Sequence, residues 1–460
     1  MAKKDLLTYS LKHIASEVSQ QWTKRAFRFN EGYKRFLDAS KTEREAVATA
    51  VKQLQENGFR PFRLGDAIKP GDKIYFENRH KSLIAAVIGT EPIAKGIRLL
   101  AAHIDSPRLD LKPNPLYEDS ELALLKTHYY GGIKKYQWTT IPLAMHGVLM
   151  LSDGRKVEVS VGEEDKDPVF YIDDLLPHLA QDQMKRSGSE VIRGEELNVV
   201  VGSLPQSKED EKQAVKQHVL QLLNDKYGFV ERDFLASEIE IVPAAKARDV
   251  GFDRGLTGAY GQDDRVCAYP ALQAVLSQES PKNTVAVVLA DKEEIGSVGN
   301  SGMQSAFFQY FVADIAETLG SNERTVMMAS KCLSADVNAA FDPTFASVSE
   351  QMNASYINRG MVLTKYTGAR GKSGASDANA EFVAEVQHAF DAAKIPWQIG
   401  ELGRVDLGGG GTVAGYLANL GMEVLDAGVP VLSMHAPYEL TSKLDVYATY
   451  LGFDCFLKTL

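Results

Sequence analysis

Five short stretches carry the side chains that could do chemistry: His103-Ile104-Asp105, Asp263-Asp264-Arg265, Glu293-Glu294-Ile295-Gly296, Ser334-Ala335-Asp336 and Met434-His435-Ala436-Pro437. Each stands beside a short apolar run. A charged side chain at the end of a buried strand is costly unless something pairs with it. Two imidazoles and several carboxylates converging on one spot can hold a pair of divalent cations. A spare glutamate could then handle protons, and the combination points to hydrolysis of an amide by metal-activated water. Alternate strand residues share a face. Asp105 can therefore accept a hydrogen bond from the ring nitrogen of His103 that a metal does not use, which fixes the tautomer. Of the adjacent Glu293 and Glu294, one can bind metal while the other faces the attacking water. Spacing alone does not decide which.

The elements around these residues set where they can meet. Strand-like runs occupy 73–77, 82–88 and 97–104, and the third runs straight into His103 and Asp105. It is almost unbroken in apolar residues, as a strand covered on both faces would be. After about residue 110 the texture changes. Residues 125–201 alternate apolar and polar positions between Gly and Asp punctuation, a β-rich pattern. A charged helix over 207–226 and a strand from residue 237 close that segment. From Asp263 onward the rhythm is helix, strand, helix. Strands are predicted at 284–290, 325–329, 361–364 and 423–426, and helices at 264–278, 304–319, 375–392 and 441–458. Near the start, 5–24 and 43–57 read as amphipathic helices, with Gly58 at a C-terminal stop. Strands alternating with helices imply a mostly parallel α/β sheet covered by helices on both faces. The expected organisation is a discontinuous catalytic domain, 1–110 plus 246–460, holding an inserted β-rich domain, 111–245. In open α/β sheets, sites form beyond the carboxyl ends of strands. His103 with Asp105, Glu293 with Glu294, Asp336 and His435 all follow that rule.

Composition sets bounds. A chain of 460 residues exceeds one ordinary core. It is 44% hydrophobic and 24% charged, ordinary for a soluble protein. A net charge of −10 argues against nucleic acid as a partner. Cys267, Cys332 and Cys455 stand far apart, so they give no disulfide framework and suit a reducing compartment. Lys12, His13 and Glu17 interrupt what would be the apolar region of a signal peptide. The longest apolar runs have strand length, too short to span a membrane. A soluble, cytoplasmic protein without a membrane partner is the expectation.

In the order Ala102-His103-Ile104-Asp105-Ser106-Pro107, Asp291 through Ser297, Ser334-Ala335-Asp336 and Met434-His435, these motifs resemble the aspartyl aminopeptidase and aminopeptidase I family of dinuclear zinc peptidases. The resemblance runs over nearly the whole chain. It implies that Asp263 bridges two metals, that Glu294 and His435 complete one site, and that His103 and Asp336 complete the other. Glu293 would be the general base and Asp105 the orienter of His103. The metal expected is zinc, although this donor set also accepts manganese or cobalt. The resemblance further implies a cis peptide at Asp263–Asp264. It implies a homo-oligomer, a dodecamer built from dimers through the inserted domain, and peptide substrates with a free N-terminus.

Further residues match on the same ground. His178 corresponds to a histidine that relatives project into a neighbouring subunit's active site. The segment from Arg404 to Thr412, with its four glycines, matches one that lines the substrate cleft, so Gly411 and Thr412 are expected substrate contacts. Relatives that prefer acidic residues place a lysine where this chain has Thr364. Its own lysine comes one later, at Lys365, and successive strand residues point to opposite faces. The N-terminal residue removed is therefore expected to be acidic or neutral. A dipeptidase, carboxypeptidase or deacylase of the same metal class is the nearest rival. Such enzymes usually insert their second domain later, whereas here the longest gap separates Asp105 from Asp263. A non-catalytic assembly protein on the same fold would be marked by loss of Glu293 or of a ligand, and all are present.

Overall fold

The computed structural model describes residues 7–8, 10–205 and 212–460. The chain forms two compact units. The first runs to Asp105 and resumes over Ala247–Met434 and Glu439–Leu460, and the second is Ser106–Lys246 with His435–Tyr438.

A nine-stranded mixed sheet organises the first unit. Its order is Arg60–Pro61, Lys73–Asn78, Ser82–Val87, Thr284–Ala290, Ile97–His103, Lys331–Ser334, Glu423–Gly428, Met361–Thr364 and Trp397–Ile399. The four strands from Thr284–Ala290 to Glu423–Gly428 run parallel, so their carboxyl ends lie along one edge. The near-continuous apolar runs have a simple cause. Leu100 and Ala102 join Val285, Val287 and Leu289 in one core, while Leu99 and Ala101 join Ala286 and Val288 in another. Alternate residues thus face opposite layers, and both layers are covered. Tyr33, Phe36, Val47, Val446 and Phe453 bring helices onto the first face, and Phe308, Phe311, Val326 and Leu417 bring helices onto the second. A separate five-stranded sheet runs Arg248–Val250, Leu256–Ala259, Glu439–Ser442, Pro430–Leu432 and Asn338–Ala339.

The second unit is a six-stranded antiparallel sheet, ordered Lys156–Val161, Leu143–Met150, Glu238–Pro243, Arg108–Asp119, Leu122–Tyr130 and Asn198–Gly202. The helix Ala214–Tyr227 falls in the chain between its strands Asn198–Gly202 and Glu238–Pro243; part of the predicted 207–226 lies outside the described residues.

Local reading fails at two places. The stretch 325–329 belongs to a helix, Glu323–Ala329, and the strand is Lys331–Ser334. Asn322 explains the difference, because its Oδ1 accepts the Thr325 N–H at 3.1 Å and starts a helix there. The predicted helix 5–24 is instead a short turn of helix, Ile14–Glu17, followed by a long helix, Gln20–Asp38. Ser19 starts the second by accepting the Trp22 N–H. Residues 5, 6 and 9 of that range lie outside the described ones. Among the described residues, no helix is long and apolar enough to cross a membrane.

One buried ion pair ties the sequence-distant parts of this unit together. Asp249 meets Lys34, Lys443 and Arg254, each at 2.7 Å. The Lys443 side chain is only 1% exposed, and its ammonium also lies 4.6 Å from the Phe27 ring centre. Burial alone would raise the Asp249 carboxyl, but hydrogen bonds from Lys34, Lys443 and Arg254 hold it well below the usual range. Asp249→Asn should cost roughly 3–5 kcal/mol, because it leaves Lys443 buried without a counter-ion. A depressed carboxyl contributes stability above its unfolded pKa of about 4 and loses it as pH falls through the folded value. Urea unfolding should therefore separate wild type from Asp249→Asn at pH 7, and the gap should narrow below pH 4. Equal stability at pH 7 would contradict this account.

Candidate active site

The first unit brings His103, Asp263 and Asp336 together, each offering a ligand atom within 4.8 Å of the others. His103 ends the central strand Ile97–His103 and is 1% exposed. Its Nδ1 lies 3.0 Å from the backbone carbonyl of Asp105 and 3.3 Å from Asp105 Oδ1. A carbonyl oxygen can only accept, so Nδ1 carries a proton and Nε2 is the ring nitrogen left for a metal. Nε2 faces acids: Asp263 Oδ1 at 3.2 Å, Glu293 Oε2 at 3.9 Å and Asp336 Oδ1 at 3.9 Å.

Three carboxylates crowded around one buried ring nitrogen call for positive charge among them, a proton on the ring or a bound cation in its place. The titration directions say the same. Burial should lower the His103 pKa, yet Asp105, Asp263 and Glu293 outweigh it and raise it strongly. Asp336 is pushed far up by burial, then by Asp264, Glu293 and Asp263. Imidazole nitrogen with carboxylate oxygens is a donor set that suits zinc. The residues present fit a divalent cation.

Asp105 does more than orient an imidazole. Its two carboxylate oxygens accept the backbone N–H groups of Glu293, at 3.1 Å, and Glu294, at 3.2 Å. It thereby fixes the tight turn Glu293–Ile295 that follows the neighbouring strand Thr284–Ala290. Lys292 takes the left-handed conformation, with φ 65°, and the Ser297 N–H closes the turn on its carbonyl at 2.6 Å. The spacing of His103 and Asp105 suggested only the link to the ring. The link to the glutamates joins two strands and leaves no local signal.

Asp263 opens a helix, Gln262–Leu276, but has φ −79° and ψ 111°, outside the helical range. The Asp263–Asp264 peptide is cis. Arg265, 1% exposed, donates to the carbonyls of Ile104 and Lys41 and ties this helix to the end of the central strand. Asp336 follows Lys331–Ser334, and its Oδ1 accepts the Val337 N–H at 2.8 Å.

His435 lies in His435–Tyr438, grouped with the second unit, where its Nδ1 donates to the Gly132 carbonyl at 2.8 Å. Nε2 is again the ring nitrogen left for a metal. His178 is exposed on a loop of the second unit, beside Leu175, Leu176 and Leu179, all at least half exposed.

The glycine run behaves unevenly. A side chain on Gly408 would meet the Leu402 carbonyl at 1.9 Å, and one on Gly409 the Gly368 carbonyl at 2.1 Å. Gly411 borders open space. Thr412 donates its hydroxyl to buried Asp426 at 2.7 Å and accepts the Ala414 N–H. Burial raises Asp426 to about 6. Lys365 does not stand as an isolated cation. Its ammonium pairs with Asp377 at 2.5 Å, and Lys372 takes the other oxygen at 2.9 Å. Thr364 is buried and accepts from Asn338.

The family model for aminopeptidase I zinc metalloproteases (M18) matches residues 36–457. The chain belongs to that family. It is similar to a probable M18 family aminopeptidase 1 of Clostridium acetobutylicum, 50% identical over 97% of this chain and 98% of that one. A Thermotoga maritima relative described in the same words is 45% identical over 94% and 96%. Among solved structures, an M18 aminopeptidase from Thermotoga maritima superposes with TM-score 0.94 at 42% identity, covering 98% of this chain and all of that one. Aminopeptidase I from Clostridium acetobutylicum gives TM-score 0.92 at 46% identity, with 98% and 100% coverage. The protein is an aminopeptidase of the zinc metalloprotease class, on the fold that its motifs implied.

Asp105→Ala removes the acceptor of two backbone N–H groups and the carboxylate beside the His103 ring, while the backbone carbonyl that His103 Nδ1 meets stays. Loss of such a support typically costs 10–100-fold in metal affinity or activity. Steady-state assays with saturating zinc should show a fall of roughly that size; unchanged kcat/KM would mean that the turn at Glu293–Ile295 holds itself.

Proposed function

We propose that the enzyme removes single residues from the free N-terminus of peptides, using two divalent metal ions held by residues of this chain. His103 and Asp336 serve one ion and Glu294 and His435 the other, with Asp263 shared between them. The observation that carries the reading is that His103 Nε2 faces Asp263, Glu293 and Asp336. When bound, zinc supplies Lewis acidity toward water and the scissile carbonyl.

The protein's own residues do the rest. Glu293 stands beside the ligands, takes the proton of the attacking water, and returns it to the leaving amine. Asp105 keeps Glu293 in place through its backbone N–H. The Thr412–Asp426 hydrogen bond holds the end of the glycine run, where Gly411 leaves room for substrate. Lys365 is engaged by Asp377, which supports cleavage without a demand for an acidic N-terminal side chain.

Assembly belongs to the same proposal. We assign the second unit a role in self-association and His178 a place in a neighbour's active site. Leu175, Leu176, Leu179 and Met184, between 50% and 70% exposed around His178, support a partner surface there. A yeast aminopeptidase 1, which shares the fold at TM-score 0.77 and 20% identity, is described as a dodecamer. Three buried thiols suit a reducing cytoplasm.

Glu293→Gln should lower kcat roughly 10²–10⁴-fold while zinc content stays at the wild-type level. A variant keeping more than about a tenth of kcat would assign the base elsewhere, and hydrolysis of N-acetylated peptides would remove the aminopeptidase specificity. Mixing inactive Glu293→Gln chains with inactive His178→Phe chains should restore activity, because some interfaces pair an intact glutamate with an intact histidine. No recovery in mixtures shown to exchange subunits would confine His178 to its own chain.

A further inference from the structure

We propose that Glu439 is a positioning residue for the shared metal ligand Asp263, and that Gln262 and Tyr33 carry its hold to the N-terminal helix. The inference rests on the assignment of Asp263 as a ligand.

Glu439 opens the strand Glu439–Ser442 and is 1% exposed. A single oxygen of its carboxylate, Oε2, accepts the Gln262 N–H at 2.6 Å and the Asp263 N–H at 3.1 Å. These are the first N–H groups of a helix, where no intrahelical partner exists. The backbone at Asp263 and Asp264 leaves the helical range, so the need for an outside acceptor is greater. Hydrogen bonds to an ionised acceptor are shorter and stronger than neutral ones.

Gln262 locks this arrangement from the other side. It is wholly buried. Its Nε2 donates to the carbonyls of Glu439, at 2.6 Å, and Thr257, at 3.1 Å. Its Oε1 accepts from the hydroxyls of Thr441, at 2.5 Å, and Tyr33, at 3.1 Å. Two donors face two carbonyls and the acceptor faces two hydroxyls, so all four of its hydrogen-bonding positions are used and the amide cannot flip without losing them. Tyr33 is fully buried on the helix Gln20–Asp38. A ligand carboxylate is thus fixed through its backbone by groups from three distant segments. None of those groups can reach a metal through the contacts described.

The test uses full-length protein stripped of metal by chelation and titrated with Co²⁺. Visible absorption reports the ligand field, and the melting temperature of the apo-protein reports folding. Glu439→Ala should bind Co²⁺ roughly 10–100-fold more weakly, with an altered spectrum. Glu439→Gln keeps an oxygen that can accept both N–H groups and should recover most of the affinity. Tyr33→Phe should move affinity the same way as Glu439→Ala, by less. Wild-type Co²⁺ affinity and spectrum in Glu439→Ala would overturn the proposal. So would Glu439→Gln binding as weakly as Glu439→Ala, since the hydrogen bonds would then not be what matters. Asp263→Ala runs beside them. If it binds like wild type, the ligand assignment itself has failed; if it loses affinity while Glu439→Ala does not, only the positioning role has failed.

Discussion

Everything in the first unit depends on one crowded contact. Oxygens of Asp263, Glu293 and Asp336 each lie within 3.9 Å of the buried Nε2 of His103. Negative charge gathered around one ring nitrogen repels unless positive charge lies among it. Coulomb energies rise as the effective dielectric falls, so burial makes the demand stronger. A chain that folds this way has built a place for positive charge, and the remaining architecture makes that tolerable.

Parallel strands bring the acids to one edge, because their carboxyl ends lie side by side, Ala290 opposite His103 and Ser334 opposite Ala101. Tight backbone accounting then fixes them. Asp105 accepts from both glutamates of the adjacent turn, and Glu439 accepts from the two residues that begin the helix bearing Asp263. Asp263 and Glu293, which face the centre, are thus each held by another acid that faces backbone N–H groups. The supports act through hydrogen bonds to the main chain, so they can set position without competing for the ion.

Much of this was legible in the sequence. The central strand is legible because residues 97–102 alternate between two buried layers, with Arg98 the one polar residue among them. The order of the acidic motifs carried the family. Signals that depend on capping or distant pairing were missed. The helix Glu323–Ala329 was read as a strand because Val326, Met327 and Met328 form an apolar run, while its start depends on one Asn322 hydrogen bond. Glu439, Gln262 and Tyr33 meet from positions far apart along the chain, and a Glu beside an apolar run looks like any surface acid. The pairing of Lys365 with Asp377, twelve residues on, likewise leaves no local signal.

The central claim is that this crowding is a seat for two metal ions. Anomalous diffraction at the zinc edge, from crystals of enzyme purified without chelator and supplied with zinc, tests it most directly. Two peaks per chain are expected, one among His103, Asp263 and Asp336 and the other among Asp263, Glu294 and His435. A single peak, or peaks remote from His103, would contradict the account.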